Sequence, residues 1–510
     1  MVGETYHVFV FLVILSATLR CNTNNDLEVE ADTLKEMGDI YLDLYELSEA
    51  ISHYEEALSI YHSLSNKRGE VSCIKSLGDS HLFLSNYEEA RTRYKQALPL
   101  YRAIGDKLGE ANCIKALGDL HVRLAEYEEA DTHYEQALPL YRAIGGKLGE
   151  ANTLQALGDL HLRLAEYEEA RTHYKQALPL YRAIGDKLGE ANCIKALGDL
   201  HLRLDEYEEA RVDYEEALTL YRAIGGKLGE ANTLQALGEL HLRLADYEEA
   251  HIRYEEALPL YRAIGDKLGE ANTLKSIGDL QYSLDEYDSS LENYESALSL
   301  YQVIGSPLGE ANTLKGMGDT YRFRGEYNRA LAKYQQALNI FRTIGAKLGE
   351  ANVLHSIGVI NDYQGSYSEA MENYQKALSL FRAIGARLGE ANSLRSLANV
   401  YFDLGDMRRA VTFYEESLAL AHAIGDRHGE GSILSSLGSV YSNLGDTQKA
   451  IELYEQALTI AHSIGDRQAE AATLHNLGMV YSDINEPDRA VELYKQSLGI
   501  KQTIGDLLLS

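Results

Sequence analysis

Four polar side chains recur at steps of three, four and four residues along residues 111–320. The first set is Asn112, Lys115, Asp119 and Arg123, and the third is Asn192, Lys195, Asp199 and Arg203. Between them stand Asn152, Asp159 and Arg163, with Gln155 in the lysine place; Asn232 and Arg243 follow, with Gln235. Asn272 with Lys275 and Asn312 with Lys315 continue the column. On a helix those steps put each set on one side. An amide offers donor and acceptor together, the pair needed to clasp the backbone of an extended peptide without reading its sequence. A neighbouring guanidinium selects acidic side chains by bidentate pairing. A competing use is internal, because Lys115 with Asp119 and Asp119 with Arg123 are spaced for ion pairs along a solvated helix.

Other chemistries find less support. His81, His121, His161, His201 and His241 form a ladder, but ligands of one metal must converge within a few ångströms, and these sit a helix diameter apart. They read as half-buried substitutes for tyrosine. Gly145-Gly146-Lys147 has the look of a phosphate loop, yet no Ser or Thr follows the lysine and no strand precedes it. Paired acids such as Glu128-Glu129 fall at helix starts, where solvated charge explains them. No Ser/His/Asp or Cys/His arrangement stands apart from the repetition. The expectation is a protein without catalysis, cofactor or metal.

The elements that must position these residues are fixed by a period of 40. From residue 31 the chain of 510 divides into twelve blocks with no insertion or deletion. Position 24 of each block is Tyr, from Tyr54 to Tyr494, and position 28 is always Leu. Position 8 is Gly except at Ala398, and position 20 is Ala except at Ser290. Two apolar stripes of helical spacing, one through positions 4, 7, 11 and 14 and one from 17 to 34, mean two helices per block, A and B. Each is predicted to be about 18 residues long. Gly105 ends a B helix in the left-handed conformation and Asp106 caps the next A helix. Pro307 and Pro487 sit at first helical positions. Glu110 puts a carboxylate in a first turn. Pro99, shared with Pro139, Pro179 and Pro259, falls inside a B helix and predicts a bend at Leu98–Pro99.

In the block from Ala111, the spacing of Leu117-Gly118, His121, Ala130, Tyr134 and Ala137 resembles the tetratricopeptide repeat signature. It is similar to the 40-residue variety of spindle-orientation adaptors, rapsyn and the sensor arms of NB-ARC-type ATPases. The resemblance implies an all-α, right-handed superhelical solenoid of twelve helix-turn-helix repeats, 31–70 through 471–510. It also implies a concave groove lined by A helices, on which the Asn, Lys, Asp and Arg columns would lie. Stability would be spread along such an array, since each repeat buries its apolar face against neighbours. Asp26 would cap the first A helix, and Lys501 would act as a polar end; Leu507-Leu508-Leu509 fits that end less well.

Composition narrows the partners. Lys plus Arg is 48 and Asp plus Glu is 78, a net charge of −30, which repels phosphate backbones and anionic lipid. A protein or peptide partner is expected, with no nucleic acid and no membrane surface. Cys73, Cys113 and Cys193 occupy one repeated, half-buried helix position where most copies have Thr, so no disulfide framework is expected. Residues 1–25 stand outside the solenoid, which covers 26–510. The run Val8–Leu15, followed by Ser16-Ala17-Thr18, has the form of a signal peptide and is too short to span a bilayer. Glu4, the lack of Lys or Arg ahead of the run, and the absence of any glycosylation sequon favour a cytoplasmic protein over a secreted one.

The expected function is a scaffold or adaptor holding an extended, acidic peptide segment. The alternatives are a ligand-sensing arm or a structural spacer. Past residue 350 the columns fade: position 9 becomes Val359, Asn399, Ser439 and Met479, and position 13 becomes Tyr363, Asp403, Asn443 and Asp483. A different partner, or none, is expected there.

Overall fold

In the computed structural model, residues 24–507 are described, with side chains through residue 503. The apolar run Val8–Leu15, its small-residue site, and Leu508 and Leu509 lie outside the described residues. Everything described is helix or tight turn, with 24 helices from Asn24–Asp43 to Pro487–Leu507. They alternate as A helices, such as Lys107–Arg123 and Lys147–Arg163, and B helices, such as Tyr127–Ile144 and Tyr167–Ile184. Within each unit the A and B helices of a repeat pack as a pair, as Lys107–Arg123 does with Tyr127–Ile144, and the B helix also packs on the following A helix. The chain divides into two compact units, Met1–Leu260 and Tyr261–Ser510.

Junction chemistry sets the helix ends. Gly105 adopts φ 72° and closes the helix Tyr87–Ile104; Asp106 then accepts a hydrogen bond from Gly109 N at 2.9 Å. Gly145 and Gly146 do the same work of stopping and restarting, which accounts for the sequence that looked like a phosphate loop. Pro307 is the first residue of its helix, as is Pro487. Glu110 bonds Arg102 Nε and Lys107 Nζ, both at 2.8 Å, tying the end of one helix to the start of the next. Lys107 and then Arg102 hold its carboxyl below the usual range, against the opposing effect of burial. Asp26 falls inside the first helix rather than at its cap, because the helix already includes Asn24.

Pro99 does not interrupt its helix. Tyr87–Ile104 has the same 18-residue span as Tyr207–Ile224, which carries Thr219 at the proline position. Pro99 is exposed, and so is Lys95, whose carbonyl loses the bond, so water can replace the missing donor.

In the repeats other than that of Ala398, the core is a tyrosine set in a glycine notch. A Cβ added at Gly118 would lie 2.6 Å from the Tyr134 ring, so only glycine admits the ring there. A second ring, Tyr141, seats on Gly149 of the next A helix, where a Cβ would lie 2.2 Å away. Leu154, Leu157, Tyr174 and Cys193 belong to one cluster with Tyr134, so in this part of the first unit neighbouring repeats share a core. The cysteine position is fully buried rather than half-buried: Cys113 Sγ donates to the Tyr94 carbonyl at 3.4 Å. Burial pushes its thiol up to about 12, and Cys73, Cys113 and Cys193 are all free.

Candidate binding face of the A helices

In the first unit, the asparagine column is anchored from behind. Tyr141, Tyr181 and Tyr221 donate their hydroxyls to Oδ1 of Asn112, Asn152 and Asn192 at 2.7, 2.7 and 2.6 Å. Each tyrosine comes from the B helix of the same repeat. One acceptor lone pair of each of these exposed amides is therefore occupied, which leaves the Nδ2 group as its donor. Asn232 also has a partner. In the second unit Tyr301 holds Asn272 at 2.6 Å, while the repeat of Asn312 has Phe341, without a hydroxyl, at the tyrosine place.

The lysine and aspartate columns pair with each other. Lys115–Asp119 and Lys195–Asp199 are 2.8 Å apart in the first unit; Lys275–Asp279 and Lys315–Asp319 are 2.5 and 2.6 Å apart in the second. The aspartates accept a second bond from the core tyrosine, from Tyr134 to Asp119 at 2.8 Å and from Tyr214 to Asp199 at 2.9 Å. Asp159 has Gln155 in place of the lysine; burial raises its carboxyl pKa, opposed by the Tyr174 hydrogen bond and Arg163. The internal pairing weighed from the sequence thus holds for Lys with Asp. It extends to arginine only at Arg243. Arg123, Arg163 and Arg203 are exposed, and no carboxylate pairs with them; Arg243 pairs with Glu239 at 3.2 Å.

Sequence reasoning missed the leucines. Leu108, Leu148, Leu188 and Leu228 in the first unit, and Leu268, Leu308, Leu348 and Leu388 in the second, are 49–54% exposed. Each stands four residues before an asparagine of the column, on the same helix side. The signal was present as the pentapeptide Leu-Gly-Glu-Ala-Asn, which occurs at 108–112 and in seven later repeats through 388–392. In the flanking repeats both ends change together, to Arg68 with Ser72 and to His428 with Ser432.

An open cleft of about 1050 Å³ in the first unit brings several of these residues together. Leu108, Asn112, Lys115 and Asp119 line it alongside Leu148 and Asn152 from the next A helix. Tyr141 and the junction Gly145-Gly146-Lys147 form part of its wall, with Leu82 and Phe83 on the preceding repeat. Arg123 and Arg163 lie at the far ends of their A helices, outside this lining.

The histidine ladder is partnered locally. His121 Nδ1 is 2.6 Å from Glu126, His161 Nδ1 is 2.7 Å from Glu166, His201 Nδ1 is 2.8 Å from Asp213 and His241 Nδ1 is 3.1 Å from Asp246. The rings of His121 and His161 stack on His133 and His173 of their B helices, at 4.9 and 5.1 Å. His81 differs, with a buried Nδ1 that has no hydrogen-bond partner. Among the described residues, no group of three His, Cys, Asp or Glu side chains is arranged to hold a metal, and no helix is long and apolar enough to cross a membrane.

Comparison with known proteins gives the same fold. No curated protein matches the sequence. Among solved structures, a signal transduction ATPase with numerous domains and a tetratricopeptide repeat sensor, from Pyrococcus horikoshii, is similar at 17% identity and a TM-score of 0.51. That match covers 69% of this chain and 54% of the other. The apo form of the quorum sensor NprR from B. thuringiensis is similar at 14% identity and a TM-score of 0.50, covering 71% of this chain and 99% of its own. At such identities the likeness shows the fold alone. The family profile described as tetratricopeptide repeat matches nine windows: 29–103, 70–143, 110–183, 190–263, 269–343, 309–383, 349–423, 389–463 and 429–503. With the paired helices, the tyrosine-in-glycine core and a match over most of its length, this chain belongs to the tetratricopeptide repeat family.

Proposed function

We propose that this protein is a non-enzymatic scaffold whose A helices hold an extended polypeptide carrying both acidic and apolar side chains. The observation that carries the reading is the coincidence of exposed leucine and asparagine in the same eight repeats, four in each unit, with a tyrosine hydroxyl anchoring Asn112, Asn152, Asn192 and Asn272. A bare leucine half-exposed to water costs little once; a ladder of them facing a polar column is a surface that gains by being covered. Covering the exposed half of each leucine contributes about 1 kcal/mol, comparable to one hydrogen bond from an asparagine Nδ2 to a peptide carbonyl. The paired Lys and Asp between them form a neutral floor. From Leu108 to Arg123 the helix face is roughly 22 Å long, apolar at one end and cationic at the other. An extended chain crossing the helices points alternate side chains to opposite sides, apolar toward the leucines and acidic toward the arginines.

Selection of a displayed library of random linear peptides on the full chain tests this reading. The expected outcome is enrichment of sequences alternating Leu- or Ile-type residues with Asp or Glu. Arg123→Glu combined with Arg163→Glu should abolish their capture while helicity is unchanged. Capture that survives the double substitution, or a selected pool without acidic residues, overturns the proposal. A pure spacer would enrich nothing.

A further inference from the structure

The position-13 column that carries Arg123, Arg163, Arg203 and Arg243 has a different side chain one repeat earlier, Phe83. A ring in place of a guanidinium changes what that place can recognise, from a carboxylate to an apolar group. Phe83 remains 50% exposed although Tyr45 meets it edge to face, with ring centres 5.8 Å apart. Tyr45 is more exposed still.

Phe83 is not an isolated apolar residue on the surface. It lines the cleft of about 1050 Å³ together with Leu82 of its own helix and Leu42 of the preceding A helix. Leu108 and Leu148, at the starts of their A helices, form the other apolar end of that cleft. Between the two ends the floor is electrically closed: Lys75 pairs with Asp79 at 2.6 Å and Lys115 with Asp119 at 2.8 Å. The remaining charged lining, Lys147 and Asp186, belongs to helix starts, whereas Phe83 closes its helix. A start and an end are separated by a helix length, roughly 24 Å. Single exposed apolar residues need no partner, but contiguous ones in a preformed cleft gain by being covered.

We propose that the Phe83 end of this cleft is the anchor pocket of the bound polypeptide, taking one aromatic or leucine-type side chain beside the acidic stretch that the arginines hold. The proposal rests on the reading of the A helices as a peptide-binding face and fixes the register on it. The ligand's acidic pattern stops where the column changes from Arg123 to Phe83. Charge decides the occupant. The arginines call for acids, whereas a carboxylate brought against Phe83 would lose water and meet no unpaired cation.

Peptides selected on the full chain test the pocket. The pool should carry an aromatic, Leu or Ile residue at a fixed distance from one end of its acidic run. Replacing that residue by Ala should weaken binding about tenfold, read by fluorescence anisotropy. Phe83→Arg installs the residue that the next four repeats carry in this place. It should cost the parent peptide the same factor, cost the Ala peptide nothing further, and favour a peptide with Glu at the anchor. Should that variant not fold, Phe83→Ser, matching Ser283, is held to the first two criteria. Equal losses for both peptides, or a pool with no fixed anchor, overturn the pocket. The peptide face itself still stands in that case if Arg123→Glu with Arg163→Glu abolishes capture. Capture of no peptide by the folded chain overturns both. Dimers of the chain that Phe83→Arg dissolves would assign the surface to a second copy and overturn the pocket too.

Discussion

Every residue of Leu108-Gly109-Glu110-Ala111-Asn112 has an assignable physical task. Gly109 leaves room for the Tyr101 ring, Glu110 ties two helices through Arg102, and Ala111 is fully buried. Leu108 is left exposed, and Asn112 is held by Tyr141. The tyrosine bond turns a freely rotating amide into an oriented donor, which lowers the entropy lost on binding. Tyr141→Phe with Tyr181→Phe should therefore leave the fold intact, costing about 1 kcal/mol per lost hydrogen bond. Phe341 and Phe381 show that the ring alone is accommodated at this position. The same pair of changes should weaken capture of library-selected peptides about tenfold, read by fluorescence anisotropy. Unchanged affinity would show that the amides do not touch the peptide. The asparagine column was legible in the sequence. Its occupied acceptor was not, because Tyr141 lies 29 residues along the chain and only helix pairing brings it near.

At the level of the helices, the turns between A and B carry strain that the sequence did not announce. Ala125, Ala165 and Ala245 adopt φ of 58°, 59° and 57°, as do other non-glycine residues at this position. Later repeats place Gly325, Gly365, Gly405 and Gly445 in the same turn. An alanine Cβ in the left-handed region costs about 1 kcal/mol, part of which glycine regains at the expense of a looser unfolded chain. The triple substitution Ala125→Gly, Ala165→Gly and Ala245→Gly should raise the urea midpoint of the first unit, by about 0.5 kcal/mol per site. A lower midpoint would mean that the turn is not the source of strain. The B-to-A junction was readable because Gly105 and Asp106 are strong stop and start residues. The A-to-B turn was not, because alanine carries no local signal and takes this conformation only under the pull of the packed helices. Pro99 stands inside a helix that continues to Ile104, so the cost of its missing donor is local and does not set the helix end.

For the molecule as a whole, the charge balance sets two opposing salt effects. The net charge of −30 repels itself, while the exposed Arg123, Arg163 and Arg203 attract acidic ligands over the same screening length. Raising ionic strength from about 0.02 to 0.5 M should therefore raise the melting temperature and weaken capture of acidic peptides together. A melting temperature that falls, or capture insensitive to salt, would show that these charges do not govern either property. The sequence by itself determined the all-helical repeat architecture, because periodic apolar stripes, glycine stops and aspartate caps are local and recur without insertion. It also determined which residue types form the polar columns. Only the tertiary structure decided which of them are free. Pairing of Lys115 with Asp119 and anchoring of Asn112 by Tyr141 depend on rotamers and on neighbours supplied by other helices. Exposure of Leu108 was equally hidden, since an apolar residue in an amphipathic helix reads as core until the packing shows that nothing covers it.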